Sequence, residues 1–402
     1  MGKGFKLGSS GSTADLDAIT ATAEDVREGK ITVNQDGDPV VGVMKINSIL
    51  SFSAQAYGGR QILLTWQNPY AAKGRPFSGV FVQYMTDRYP GKWEGTRIYT
   101  GYGNNANSGG WSSAVVTLPE FSKKYYFTCA AYATCYINGV QQDLHGDDFH
   151  AEASTQADIW LTFTASGSYT IPTGYSKMDV FAVGGGSSGA SNGGSGGYTA
   201  SGSLAITPGQ TVNCIIGAGG IAYFSSSAWR TSAGGQSYIT LDNVKILTAD
   251  GGDINNGGSG GGARGFLNVH HGEDGDSDEL NGGRNGGDGG ADGSDGSIGS
   301  LVSGAPPTRN DPGKGQHTTT RAWGNPDGTL YAGGGGGCGD RDSDWSANVG
   351  RGGAGGGGDG GVGSAIPGTA NTGGGGGGNP SLKSYQPAPA NGGSGIVLIH
   401  IY

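Results

Sequence analysis

The sequence is poor in cysteine, in cationic side chains and in long apolar runs, and each shortage removes a class of protein. Four cysteines in 402 residues do not make the framework of a small disulfide scaffold. Cys129 and Cys135, in "CAAYATC", would lie about 20 Å apart on one extended strand, too far for a disulfide. Reduced thiols are therefore expected. Lys and Arg number 24 against 33 Asp and Glu, a net charge of −9. That argues against a nucleic-acid partner, which requires a basic face able to displace counterions. No stretch approaches the ~18 apolar residues of a spanning helix, and "MGKGFKLGSSGS" lacks the apolar core of a signal peptide. The expectation is synthesis in the cytoplasm without a leader, and no membrane partner.

Catalytic and metal motifs are just as scarce. There is no H-E-x-x-H and no C-x-x-C, and His145 and His150 in "HGDDFH" have the spacing of a polar loop. The pattern G-x-S-x-G occurs at Ser187, Ser195 and Ser259. Where glycine and serine dominate, three matches without a strand-to-helix context carry no nucleophile. "GKG" at 313–315 lacks the Ser or Thr of a phosphate loop. "DGDSDELNGGRN", 274–285, sets Asp274, Asp276 and Asp278 like an EF-hand, but Glu279 takes the glycine position and Asn285 that of the bidentate Glu. The reading holds no cofactor and no metal; a weak divalent-cation site in the acidic segments 272–296 or 340–344 is the lesser alternative.

What the chain has in excess is glycine. Of its 86 glycines, 19 fall in residues 1–156 and 67 in the 246 residues from 157 onward. That is about a quarter of the C-terminal part, against a norm of about 7%. The absence of a G-X-Y repeat excludes collagen. Credible strands alternate with the glycine runs, so low-complexity disorder is not the favoured reading.

Residues 1–46 read as a short α/β module. Thr22 is a plausible N-cap, with Asp25 in the first turn of a helix through Glu28 that Gly29 stops. "KITVNQDGDPVVGVM" then has the alternation and Asp-Gly turn of a hairpin. So few residues cannot bury a core alone. The module resembles one that recurs in tail proteins of bacteriophages infecting Gram-positive bacteria.

Residues 47–157 hold short strands punctuated by turns: "QILLTWQNP", "GVFVQYMT", "TRIYTG", "SAVVTL", "YYFTCAAYAT" and "YINGVQQDL". This is the pattern of a β-sandwich. Trp66 in "LTWQNP" and Tyr125 in "LPEFSKKYYFTCAAY" resemble the core tryptophan and corner tyrosine of the fibronectin type III family, although the Leu118 to Tyr125 spacing is one residue longer than usual. Both are expected in the core, and the domain is a spacer or scaffold.

Residues 158–402 open on a strand series, "IWLTFTA", "SYTI", "KMDVFAV", "GSLAITPGQTVNCIIGAGG", "GQSYITL" and "VKILTA", and close on "NGGSGIVLIHIY". With "YAGGGGGCG" and "ANTGGGGGG", these pieces resemble the glycine-rich domain of phage tail-fibre and receptor-binding proteins. The resemblance implies a β-sandwich carrying an adhesive glycine-rich part at the end of a viral fibre.

Polyglycine can form a three-residue helix with no internal hydrogen bonds, whose N–H and C=O groups radiate outward and must pair with neighbours. The runs at 184–197, 257–265, 282–296, 333–339, 350–361 and 373–378 are therefore expected to form a polyglycine II bundle, with the densest runs central. Segments 221–232, 263–281, 304–331 and 340–349 would be the turns at its ends. They hold the candidate ligand-binding residues Tyr223, Trp229, Arg230, His317, Arg321, Trp323, Arg341, Asp342, Asp344 and Trp345, aromatics and polar groups suited to sugar faces and hydroxyls.

The combined reading is mainly β and non-enzymatic: an attachment module, a fibronectin III-like sandwich and a glycine-rich receptor-binding domain. The resemblance implies a homotrimer on a virion tail. It would dock on other tail or baseplate proteins through residues 1–46 and bind a host surface or cell-wall glycan with its tip loops. The alternative is a structural tip protein without its own receptor site. A glycan hydrolase would need two carboxylates about 5–9.5 Å apart in a cleft, for which Asp342 and Asp344 are the pair to try.

Overall fold

A computed structural model describes residues 19–91, 93–137, 140–190, 192–225, 228–253, 259, 261, 320–338, 350–361, 363–379 and 388–402, with strands at 4–6 and 13–15. The chain divides into two compact units, Met1–Asp158 and Ile159–Tyr402. Both are built from antiparallel sheets. Among the described residues no helix is long and apolar enough to cross a membrane.

The first unit begins with a two-stranded pair, β1 (Gly4–Lys6) and β2 (Thr13–Asp15). Thr22 then donates its backbone N–H and its Oγ1–H to Asp25 Oδ2, at 2.8 and 2.7 Å. The helix expected through Glu28 is only a single 3-10 turn, Ala23–Asp25. Val26 is already extended at φ −111°, ψ 130°. The segment around Met44 takes the backbone groups that a longer helix would use. Met44 N–H donates to Val26 O and Glu28 N–H to Met44 O, at 3.0 and 3.1 Å. Backbone pairing with a segment distant in sequence therefore overrides a locally sound cap. The hairpin follows as β3 (Ile31–Val33) and β4 (Pro39–Val41), its turn organised by Asn34 Oδ1, which accepts from the N–H groups of Asp36 and Asp38. Lys45 N–H to Gly74 O and Asn47 N–H to Pro76 O then tie the module to the sandwich.

That sandwich faces a three-stranded sheet, β5 (Ser51–Gly58), β6 (Gln61–Gln67) and β9 (Trp111–Thr117), onto a four-stranded one. The second sheet runs β11 (Val140–Ser154), β10 (Lys124–Ile137), β7 (Gly79–Met85), β8 (Thr96–Gly101). Period-two alternation puts Ile62, Leu64 and Trp66 of β6 into one core with Tyr125, Phe127 and Cys129 of β10. The indole N–H of Trp66 donates to Asn68 Oδ1 at 3.0 Å, and the Tyr125 hydroxyl accepts the Glu120 N–H at 3.2 Å.

In the second unit one sheet is ordered β12 (Ile159–Phe163), β21 (Ile396–Ile401), β14 (Lys177–Val183), β15 (Thr199–Ala205). The other is ordered β13 (Gly167–Thr170), β16 (Thr211–Ile215), β19 (Ser237–Leu241), β20 (Val244–Ala249). The C-terminal strand is thus interior, paired to both β12 and β14. Met178, Val180, Val397, Ile399, Val212, Cys214 and Ile239 are buried. A further hairpin, β17 (Tyr223–Ser225) with β18 (Ala228–Arg230), stands apart from both sheets.

Candidate functional site

The antiparallel order brings six strand ends to the same end of the second sandwich. Strands β14, β16 and β20 run out of it, and β15, β19 and β21 enter from it. Each of these ends continues directly into a glycine-containing stretch, so the sheets fix one end of each of those stretches, while the 331–338, 350–361 and 373–379 runs adjoin no strand of either sheet. Residues 184–189, 193–197, 331–338 and 373–379 are all buried, yet they carry few side chains with which to fill a core. What packs is backbone.

The hydrogen bonds repeat every three residues. From 184 to 189 the N–H groups donate in turn to three neighbours. Gly184 and Ser187 reach Tyr198 and Ser195, Gly185 and Ser188 reach Gly235 and Ser232, and Gly186 and Gly189 reach Gly393 and Ala390, all at 2.9–3.1 Å. The 373–379 run has six partners. Gly375 and Gly378 donate to Gly333 and Gly336, Gly376 and Asn379 to Ser187 and Ala190, and Gly377 to Ile366. In return Gly373 and Gly376 accept from Gly197 and Gly194, Gly374 and Gly377 from Gly393 and Ala390, and Gly375 and Gly378 from Gly358 and Gly361. Buried backbone groups are thereby paired without a sheet ladder. The close approach requires glycine. A Cβ on Gly374, Gly375, Gly376 or Gly377 would meet the carbonyl oxygen of Gly356, Gly194, Ala390 or Asp359 respectively, inside van der Waals contact.

The three serines of the G-x-S-x-G pattern belong to this lattice. Ser187, Ser195 and Ser259 are at most 3% exposed, and Ser187 Oγ accepts the Ser195 N–H at 2.8 Å. They serve as hydrogen-bonding partners within the lattice. Among the described residues no group of three His, Cys, Asp or Glu could hold a metal ion. The runs at 282–296, most of 257–265, and both acidic segments lie outside the described residues.

Cysteine gives this unit a pH signature. Burial pushes the Cys214 thiol up to about 12, and the Cys129 thiol of the first unit is also raised by burial. A thiol whose folded pKa exceeds its unfolded value stabilises the fold fully below the unfolded pKa, near 8.5. That contribution is lost as pH rises through the folded value. Unfolding free energy of the second unit should therefore fall by up to ~1.4 kcal/mol per pH unit between about pH 9 and 12 through Cys214. Urea titrations across that range check this, with Cys214→Ala expected to flatten the slope for the second unit.

The candidate ligand residues separate into groups. Tyr223, Trp229 and Arg230 share the β17–β18 hairpin, where Tyr223 is opposite Arg230 and Phe224 opposite Trp229. Tyr223 and Phe224 are 50% and 54% exposed, Ile221 is also exposed, and the Phe224 and Trp229 rings meet edge to face at 5.5 Å. Below the hairpin, Ser232 Oγ accepts the Ile221 N–H and Gly220 N–H donates to Gly186 O, so the lattice anchors both legs. Ile221 and Phe224 were not singled out from the sequence; their signal was apolar residues in an otherwise polar turn.

Arg321 and Trp323 sit elsewhere. The 320–331 segment, expected as a turn at the end of the bundle, lies against the outer face of the β12–β21–β14–β15 sheet. Tyr331 and Ala332 bury Phe181, Val183 and Ile396 there, and Trp323 approaches Phe181. Burial of these apolar groups is what draws the segment down. Arg321 holds its loop by donating to Gly328 O. His317, Arg341, Asp342, Asp344 and Trp345 lie outside the described residues.

A family model described as a glycine-rich domain matches residues 162–402. No curated protein matches the chain.

Proposed function

The chain belongs to the glycine-rich domain family, and from that premise we propose that it is a receptor-binding adhesin of a bacteriophage tail or tailocin, recognising a glycan of the host surface or cell wall. Its glycine runs are polyglycine II helices, a reading supported by the three-residue repeat of hydrogen-bond partners around residues 184–189 and 373–379. The first sandwich is a fibronectin type III-like spacer. Its three-plus-four strand arrangement, buried Trp66 and the Tyr125 hydroxyl bonded back to Glu120 support that. Placement on a viral tail rests on the resemblance of residues 1–46 and 158–402 to tail proteins. With it come attachment to other tail proteins and a trimer, whose avidity multiplies weak single-site binding.

The observation that carries the function is the aromatic hairpin. A backbone lattice is rigid and offers no side-chain chemistry of its own, but it holds a short hairpin whose apolar side chains face solvent. A protein that only stiffened a fibre would gain nothing from exposing them. Aromatic faces stack on sugar C–H groups, and Arg230, opposite Tyr223, can donate to hydroxyls. Binding of the full chain to purified host wall fractions tests this. Tyr223→Ala with Trp229→Ala should lower binding at least tenfold with an unchanged circular dichroism spectrum. Unchanged binding by that double variant, or no binding by the parent chain to any fraction, would reject the reading in favour of a structural tip protein.

A further inference from the structure

A second surface of the glycine-rich unit carries chemistry that neither the lattice nor the hairpin uses. Across the β12–β21–β14–β15 sheet, strand register aligns one row: Trp160 opposite His400, His400 opposite Asp179, and Asp179 opposite Ser203. The alternate residues Met178, Val180, Ile399 and Ile401 are buried, so the row lies on the outer face. The Trp160 indole and His400 imidazole are stacked, with centroids 3.8 Å apart and planes at 11°, and the Tyr402 ring lies 4.8 Å from His400. Beyond them, Asp179 Oδ1 accepts from Ser203 Oγ at 2.5 Å and from the Tyr402 hydroxyl at 3.4 Å, while its Oδ2 lies 3.9 Å from His400 Nδ1. Burial, with Asp179 beside it, raises the Tyr402 phenol and keeps it a donor.

A wall borders the row. Trp323 stands edge-on to Trp160, centroids 5.3 Å apart at 75°. It is held at φ 50°, ψ 24°, a left-handed conformation that a bulky residue rarely adopts and that costs free energy. Trp160 and Trp323 nonetheless remain 59% and 36% exposed. The strain holds the Trp323 ring against Phe181 and Trp160 while leaving part of it open to solvent. Strain of this kind collects at binding sites.

We infer that this row is a second ligand site, which takes a neutral oligosaccharide laid across the four strands. Three inter-strand spacings make it about 14 Å long, an elongated platform rather than a pocket for one small group. Indole surface suits sugar C–H faces, and a fixed carboxylate flanked by hydroxyls suits sugar O–H groups. A wholly apolar partner would desolvate Asp179 and Ser203 without replacing their water, and an anionic glycan would meet the Asp179 carboxylate. None of the row belongs to the hairpin, so the two sites can fail separately.

The test is an array of neutral oligosaccharides probed with the full chain, followed by titration of the strongest binder against tryptophan fluorescence. Saturable binding is expected, weakened at least tenfold by Trp160→Ala and by Asp179→Asn and unaffected by Tyr223→Ala. Trp160→Phe should retain part of the affinity and guards against a folding defect, which an exposed position makes easy to check by circular dichroism. Three results would overturn the inference: no neutral oligosaccharide bound, binding indifferent to both Trp160→Ala and Asp179→Asn, or dissociation of an oligomer by Trp160→Ala in sedimentation equilibrium. The last would make the face a contact between copies of the chain.

Discussion

Replacing Gly376 by valine should unfold the glycine-rich unit. A Cβ at this position falls on the carbonyl oxygen of Ala390, with the Asn391 carbonyl beside it, and neither is the tip of a flexible side chain that could swing away. The run would have to move, but Gly376 donates to Ser187 O at 3.0 Å and accepts from Gly194 N–H at 2.7 Å, and its neighbours in the run bond to four further segments. Shifting one backbone therefore strands buried donors and acceptors on every side, each costing about 1–3 kcal/mol. The sum exceeds the ~4–5 kcal/mol that marks an exceptional substitution and approaches the ~5–15 kcal/mol stability of a whole domain. Hydrogen exchange read by mass spectrometry should show protection lost at 184–197, 333–338 and 373–378 together. Gly202→Ala is the control: a Cβ there meets only Leu247 Cδ1 at 3.8 Å and Val180 Cγ2 at 3.9 Å, so stability should hold or rise by up to ~1 kcal/mol. If the valine variant keeps parental protection, the run is a spacer and the packed lattice is wrong.

How much of this was legible in the sequence depended on where the specifying chemistry lies. Strands β6, β7, β10, β14 and β21 announce themselves, because alternating or continuous apolar residues are both the signal and the cause. Strand β5, "SFSAQAYG", was not picked out: only its Phe52 and Ala54 pack on the core, and its serines and alanines carry little pattern. The cap at Thr22 is real, yet Met44 decides how far the helix runs, and it pairs with Val26 and Glu28 from well outside the local window. Glycine density announced close backbone contact around 373–378. It could not say which runs touch, since a glycine has no side chain to prefer one neighbour over another. For the same reason the leaner stretches 217–220, 234–235 and 392–395 were not singled out as lattice members, although they bond into it. The Trp160–His400–Asp179 row has no local signature at all. Residues from opposite ends of the unit meet only because the last strand inserts between β12 and β14.

Trp66→Ala should destabilise the first unit by about 3–5 kcal/mol, the cost of emptying a fully buried aromatic site, while leaving the second unit intact. Trp66 has no exposed surface, and its ring lies 5.5 Å from that of Tyr99. Its indole N–H also orients Asn68, which is 1% exposed and whose Nδ2 donates to the carbonyls of Asn105 and Asn107 at 2.9 and 3.1 Å. Removing the ring therefore frees the 103–110 loop as well as the core. Trp66→Phe separates the two effects. It keeps most of the apolar volume but leaves Asn68 Oδ1 without its donor, a loss of about 1–3 kcal/mol for a buried acceptor. Stability should fall in the order parent, Phe, Ala. Hydrogen exchange in low urea resolves it by region: peptides from 51–67 and 111–131 should exchange faster in that order, and those from 177–183 and 396–402 should not change. The sandwich and the glycine-rich unit are separate compact units, each with its own cluster of buried apolar residues, so the lost packing falls within the first. Equal acceleration in both sets of peptides would mean that the chain unfolds as one cooperative unit, and the separation argued from the cores would fail.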